Sequence, residues 1–141
     1  MNIVIAIAAL AVSAFSAFGF WKAGSFKSKA SKEVLVGAGM GWVEKTPMGT
    51  VRLIAWLEIL GAIGVVLAPI GAWVTTGDFA VASKWIGVAA AAGLALTMVV
   101  AFIMHAARGE AKYTWKMNTQ LFLVAVVAGV LQAFVALPLL G

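Results

Sequence analysis

The chain has 141 residues, 64% of them hydrophobic and 11% charged, where a soluble domain is near half apolar with about a quarter charged. That balance excludes an ordinary soluble domain and fits one integral membrane domain. The 10 Lys+Arg outnumber the 5 Asp+Glu, giving +5, and there is no cysteine; the cations flank apolar runs, so they read as topology and headgroup signals rather than a nucleic-acid surface, and disulfides, thiolate chemistry, iron–sulfur clusters and cysteine-bound zinc are excluded.

A membrane-spanning helix needs about 20 apolar residues. Four runs qualify: Asn2 to Trp21, Thr50 to Val74, Ala82 to Ala107 and Trp115 to Leu140. None alternates as a barrel strand does, so the fold class is all-α, an integral membrane four-helix bundle over 1–141. The first run has no Lys or Arg before Lys22, unlike a secretory signal, and reads as a retained span. In the long loop after it, Ser31 can cap a short interfacial helix with Val34, Leu35, Ala38 and Trp42 toward lipid. Thr46 as cap and Pro47 at the first helical position begin the second span. Thr75, Thr76, Gly77 and Asp78 form the next turn. Nine of the ten cations lie on the side that holds the long loop and the loop after Arg108, and Lys84 alone lies on the other. The positive-inside rule then places the loops at Lys22 and Arg108 in the cytoplasm and both termini outside.

Polar residues inside such runs need a partner, a proton or a purpose. Glu58 shares a helical face with the small residues Ala55, Gly61 and Ala62, while Trp56, Leu57, Leu60, Ile63 and Leu67 lie elsewhere; small residues mark helix packing, so Glu58 points inward. Asn118, Ala125, Gly129 and Gln132 form a comparable stripe. At about 1.5 Å rise per residue, Glu58 lies ~12 Å from Thr50, and His105 and Asn118 each lie ~6 Å from their span ends. All three therefore belong to the cytoplasmic half, at compatible heights. Each also has a structural reading. Glu58 can lock helices, His105 can sit at the interface favoured by the helix dipole, and Asn118 and Gln132 can be interhelical glue. Arg52 reads as a headgroup anchor, and Trp21, Trp42, Tyr113 and Trp115 as interface aromatics. One His and one buried Glu are too few for a metal site or a bis-histidine haem.

The segment "TVRLIAWLEILGAIGVVLAP", the first span ending in Phe20-Trp21-Lys22, the "GMGWVEKTPMGTVR" approach and "HAARGE" closing the third span together resemble the DoxX-like membrane proteins. The resemblance covers nearly the whole chain. It implies a four-helix protein of the bacterial inner membrane, some relatives being membrane partners of quinone-linked oxidoreductases.

Three functions follow. The chain can bind a lipophilic molecule, a quinone or a lipid, in a cytoplasm-side polar pocket, with Glu58 and His105 as the proton-handling, catalytic pair. Asn118, Arg52, Lys22 and Trp21 are then the ligand-binding residues, and electrons come from an oxidoreductase partner. It can instead be a structural subunit without chemistry, or a lipid isomerase using Glu58 and His105 as base and acid. Membrane lipid, an oxidoreductase subunit and further copies of the chain are the expected partners.

Overall fold

The computed structural model describes residues 3–136, and side chains as far as Ala133. Every regular element among the described residues is helical: α1 (Ile3–Lys29), α2 (Lys32–Gly37), a 3-10 turn (Gly41–Lys45), α3 (Met48–Val74), α4 (Gly77–Ala107) and α5 (Ala111–Ala136). α1, α3, α4 and α5 are each long and apolar enough to cross a membrane. They pack as a ring in which α1 touches α3 and α5, and α4 touches α3 and α5. The expected span ends at Asn2 and Leu140 lie outside the described residues.

Helix bounds differ from the apolar runs where polar residues are helical. α1 continues past Trp21 to Lys29, and α4 starts at Gly77 rather than Ala82, with Asp78 in its first turn, where the helix dipole favours a carboxylate. α3 starts one residue later than expected, with Pro47 as its cap, and Thr46 donates instead to the Trp42 carbonyl.

The buried positions of α1 are Ala6, Ala9, Ser13, Ser16, Phe20, Gly24 and Lys27, spaced by threes and fours. Such spacing keeps one narrow stripe toward the neighbouring helices. On α3, Ala55, Glu58, Ala62 and Val65 are buried, and Trp56, Leu57, Leu60, Ile63 and Leu67 are exposed, as the small-residue face implies. Phe20, Val65, Leu94 and Met98 form the middle of the core with Ala62, Ala91 and Ala125.

Away from the long loop, Gln132 ties the bundle together. Pro69 lies inside α3 and has no N–H, so the Val65 carbonyl four residues earlier loses its helical partner. The Gln132 amide of α5 donates to that carbonyl at 2.9 Å and to the Ser13 hydroxyl of α1 at 2.7 Å. Gly87 of α4 makes room, since a Cβ there would lie 2.0 Å from Gln132 Oε1.

At the other end, which we call the loop end, the long connection folds back on the bundle. Ser31 caps α2, accepting from the Val34 N–H. Leu35 and Trp42 are buried with Val43 and Val51, and Met104 of α4 packs on them. The lipid-facing position expected for Leu35 and Trp42 is therefore corrected: they face the ends of α3 and α4, and Val34 remains exposed.

Candidate functional site

The carboxylate of Glu58 is 1% exposed and meets the ammonium of Lys27, a residue of α1 that is itself buried. Lys27 Nζ donates to Oε1 at 2.8 Å and lies 2.6 Å from Oε2. The antiparallel packing of α1 and α3 explains the meeting. Side chains lean toward the N-terminus of their own helix, so Lys27 leans into the bundle and Glu58 leans back toward the loop end. Gly24 allows the close approach, because a Cβ there would stand 2.7 Å from the Ala55 carbonyl oxygen and 3.2 Å from Glu58 Cβ.

Arg52, one and a half turns nearer the start of α3, grips the same region. Its Nη1 donates to the Lys27 carbonyl and its Nη2 to the Ala30 carbonyl at 2.8 Å. These carbonyls belong to the end of α1, where no intrahelical donor remains and the dipole favours a cation. Thus α3 holds Lys27 twice, by its side chain through Glu58 and by its backbone through Arg52. Trp21 and Lys22, on the same helix, are exposed.

His105 belongs to a second cluster. α4 ends in a turn in which the Glu110 N–H bonds the His105 carbonyl at 2.8 Å and the Gly109 N–H bonds that of Ala106 at 3.1 Å, with Gly109 at φ +72. This Schellman geometry brings the second residue beyond the cap over the third-last helical residue. Glu110 accordingly falls on His105, its Oε2 2.9 Å from Nδ1, and its Oε1 accepts from Arg108 Nε at 2.9 Å. An ionised carboxylate only accepts, so Nδ1 carries the hydrogen. The His105 hydrogen bond, aided by Arg108, holds the Glu110 carboxyl below its ordinary range.

Register separates the two clusters. A Cβ on Gly64 would lie 3.1 Å from that of Ala90, and one on Gly71 would lie 3.2 Å from Ser83 Oγ. Stepping back along α3 from Gly64 to Glu58 moves forward along α4 to about Leu96. His105 is about nine residues further, ~13 Å along the axis. The structure gives Glu58 and His105 different partners and does not bring them together.

Asn118 forms a third feature. It is 3% exposed, and its Nδ2 donates to nothing among the described residues. With Met98, Val99, Phe102, Thr119 and Phe122 it lines a cavity of about 240 Å³ between α4 and α5. Val99, Phe102 and Thr119 are exposed on the outer surface of the bundle, so the cavity opens sideways. A mainly apolar chamber whose wall includes Thr119 and an amide with an unpaired donor suits a lipophilic molecule bearing a carbonyl or other acceptor. Among the described residues no three His, Asp or Glu side chains converge as metal ligands.

Sequence reasoning missed Lys27 and Glu110, the two residues that partner Glu58 and His105. Both had a signal. Continuing the α1 stripe beyond Phe20 reaches Gly24 and then Lys27, and a glycine after a helical run, as at Gly109, marks the turn that folds Glu110 onto His105.

A family model described as the DoxX-like family matches residues 7–130. Neither a curated protein nor a solved structure matches the chain.

Proposed function

The chain belongs to the DoxX-like family of membrane proteins, and from that premise we propose that it binds a lipophilic carbonyl compound of the quinone class in the α4–α5 cavity, as the membrane partner of an oxidoreductase. The carrying observation is the buried, undonated Nδ2 of Asn118, a residue in the wall of a chamber lined mainly by apolar side chains and by Thr119. A quinone oxygen accepts that hydrogen bond, its ring meets Met98, Phe102 and Phe122, and its tail stays in lipid through the lateral opening. The volume of about 240 Å³ suits a head group rather than a whole ligand. The loop end faces the cytoplasm of a bacterial inner membrane in this reading, and both termini lie outside.

Reduction of a quinone to a quinol takes two electrons and two protons. With no cysteine in the sequence to hold an iron–sulfur cluster, the electrons come from the partner oxidoreductase. The Lys27–Glu58 pair is assigned the proton-handling role: the α4 position opposite Glu58 lies within one turn of Met98, as His105 lies within one turn of Phe102. Arg52 positions Lys27. His105, with Glu110, lies nearer the loop end, where protons arrive.

The test is a titration of the detergent-purified protein with a short-tailed benzoquinone, read by tryptophan quenching. Wild type should bind saturably, and Asn118→Leu should weaken binding about tenfold or more, the worth of one buried hydrogen bond. Equal affinity in the two proteins, or none in wild type, rejects the assignment. Glu58→Gln keeps the shape and an amide but cannot carry a proton. Full partner-dependent activity in that variant removes the proton role.

One observation favours a second reading. Both oxygens of Glu58 are within 2.8 Å of one ammonium, an arrangement sufficient for a helix fastener in a subunit without chemistry of its own. On that reading Asn118→Leu leaves every activity of the complex unchanged.

A further inference from the structure

The seam between α1 and α5 is closed at Gly19 and uncovered nearer the loop end. A Cβ on Gly19 would lie 2.8 Å from Leu121 Cδ2, so the two helices touch closely there. Phe26 lies about two turns after Gly19, and Met117 about one turn before Leu121, so both share the faces on which the helices touch. Yet Phe26 is 39% exposed and Met117 58%. Side chains that helical geometry aims at the neighbouring helix are thus left uncovered, and the seam offers an apolar floor at its loop end.

Lysines rim this stretch. The antiparallel contact of Gly19 with Leu121 puts Lys22 level with Asn118 and Lys116 level with Gly24, a separation of about 3 Å along the axis. Lys29 lies about two turns beyond Lys22 on the same face of α1. All three are exposed, and among the described residues none makes a hydrogen bond or ion pair; Lys116 Nζ stands 5.8 Å from the centre of the Trp115 ring. Glu58 and Glu110 do not offset them, being engaged by Lys27, His105 and Arg108. Glu33 and Glu44 belong to α2 and the 3-10 turn, beyond the end of α1. Deeper in the span, on the outer face of α1 that carries Lys22, Phe18 and Phe15 are 65% and 62% exposed.

We propose that the loop end of the α1–α5 seam is a site for an anionic glycerophospholipid, one whose headgroup carries a phosphate and no ammonium. Lys22 and Lys116 attract the phosphate from the two sides of the seam. The headgroup lies over Phe26 and Met117, and the acyl chains run along Phe18 and Phe15. A zwitterionic headgroup brings its own ammonium among the lysines and loses the charge match. An acidic protein segment could meet the lysines, but it has no group for two phenylalanines inside the span, so charge and apolar surface together select a lipid. The site is separate from the α4–α5 cavity, which Asn118 and Phe122 face from another side of α5, and it does not depend on the quinone reading.

Native mass spectrometry of the detergent-purified chain tests the site, with dioleoyl phosphatidylglycerol and dioleoyl phosphatidylcholine as probes. Wild type should retain phosphatidylglycerol about tenfold or more tightly than phosphatidylcholine, the combined pull of two lysines. The double variant Lys22→Gln, Lys116→Gln should lose that preference. Lys45→Gln, in the 3-10 turn and away from the seam, should keep it. Equal retention of the two lipids by wild type overturns the site, and so does a preference that survives in the double variant. A loss in Lys45→Gln as large as in the double variant also overturns it, because the attraction then belongs to the whole basic end. Glycerol phosphate, which has the headgroup charge but no chains, should leave the bound lipid in place when added in large excess; displacement by it replaces the lipid with a soluble anion. If the double variant does not fold, Lys22→Gln and Lys116→Gln are measured singly, each expected to lower the preference about fivefold, and no loss in either overturns the site.

Discussion

The two halves of the bundle solve one problem in two ways. Toward the loop end, α1 and α3 are joined by the buried ion pair of Lys27 and Glu58. In the other half, α1, α3 and α5 are joined by the neutral amide of Gln132. The amide reaches more helices and leaves no charge in hydrocarbon. A buried ion pair carries a desolvation penalty of several kcal/mol per ion, and apolar residues of similar volume often replace it at no loss. Fastening alone is therefore served better by the second solution. The use of charge at Lys27 and Glu58, where a Gln or a Leu pair would hold the helices, is the physical reason behind the proton role proposed above for that pair.

The sharpest way to break the comparison is to unpair the charges. Lys27→Met or Glu58→Leu alone strands its partner and should cost about 3–5 kcal/mol, while the double variant should recover most of the loss. Denaturant unfolding in one detergent measures all three; a double variant as unstable as the singles would mean that packing, not charge, dominates there. Gly24→Ala comes next. Its Cβ would press on the Ala55 carbonyl oxygen, which is backbone and cannot swing aside, so α1 and α3 must part at a cost of about 1–3 kcal/mol.

Gln132→Leu should cost less, about 1–2 kcal/mol for two interhelical hydrogen bonds. Pro69→Ala restores the N–H that Val65 lacks, so the Gln132→Leu penalty should shrink in that background. An unchanged penalty in the double-mutant cycle would deny that the proline and the amide are coupled. The smallest effect belongs to Glu110. Its carboxyl titrates below the ordinary value in the folded protein, so it contributes stability above the unfolded-state value, and that contribution is lost as pH falls through the depressed one. Thermal midpoints on the acid side should fall more steeply in wild type than in Glu110→Gln; parallel curves would show that the His105–Glu110 contact carries no stability.

Four spans, the inward face of Glu58 and the stripe of Asn118, Ala125 and Gln132 were legible because each depends on the period of a single helix. The pairings were less so. Lys22 ends the apolar run, but the helix and its buried stripe continue to Lys27, because hydropathy reports transfer into lipid and not helical geometry. Glu58 and His105 looked level when each was measured from its own span end. The offset between α3 and α4 is set by Gly64 on Ala90 and Gly71 on Ser83, contacts between chains of residues that no single-helix pattern contains. Leu35 and Trp42 looked like lipid anchors for the same reason, since the surface they cover is made by α3 and by Met104 of α4.

The pairing of Lys27 with Glu58 also has a consequence for biogenesis. During synthesis Lys27 leaves the ribosome ahead of Glu58, which follows 31 residues later, and a lysine without its counter-ion favours the headgroups. A 27-residue helix is about 40 Å long, enough to cross a ~30 Å hydrocarbon layer with Lys27 still outside it. In that order of events Lys27 would turn into the bundle only once α3 presents Glu58. The ion pair would then tie the seating of the first helix to the arrival of the second, a link that Glu58→Leu removes.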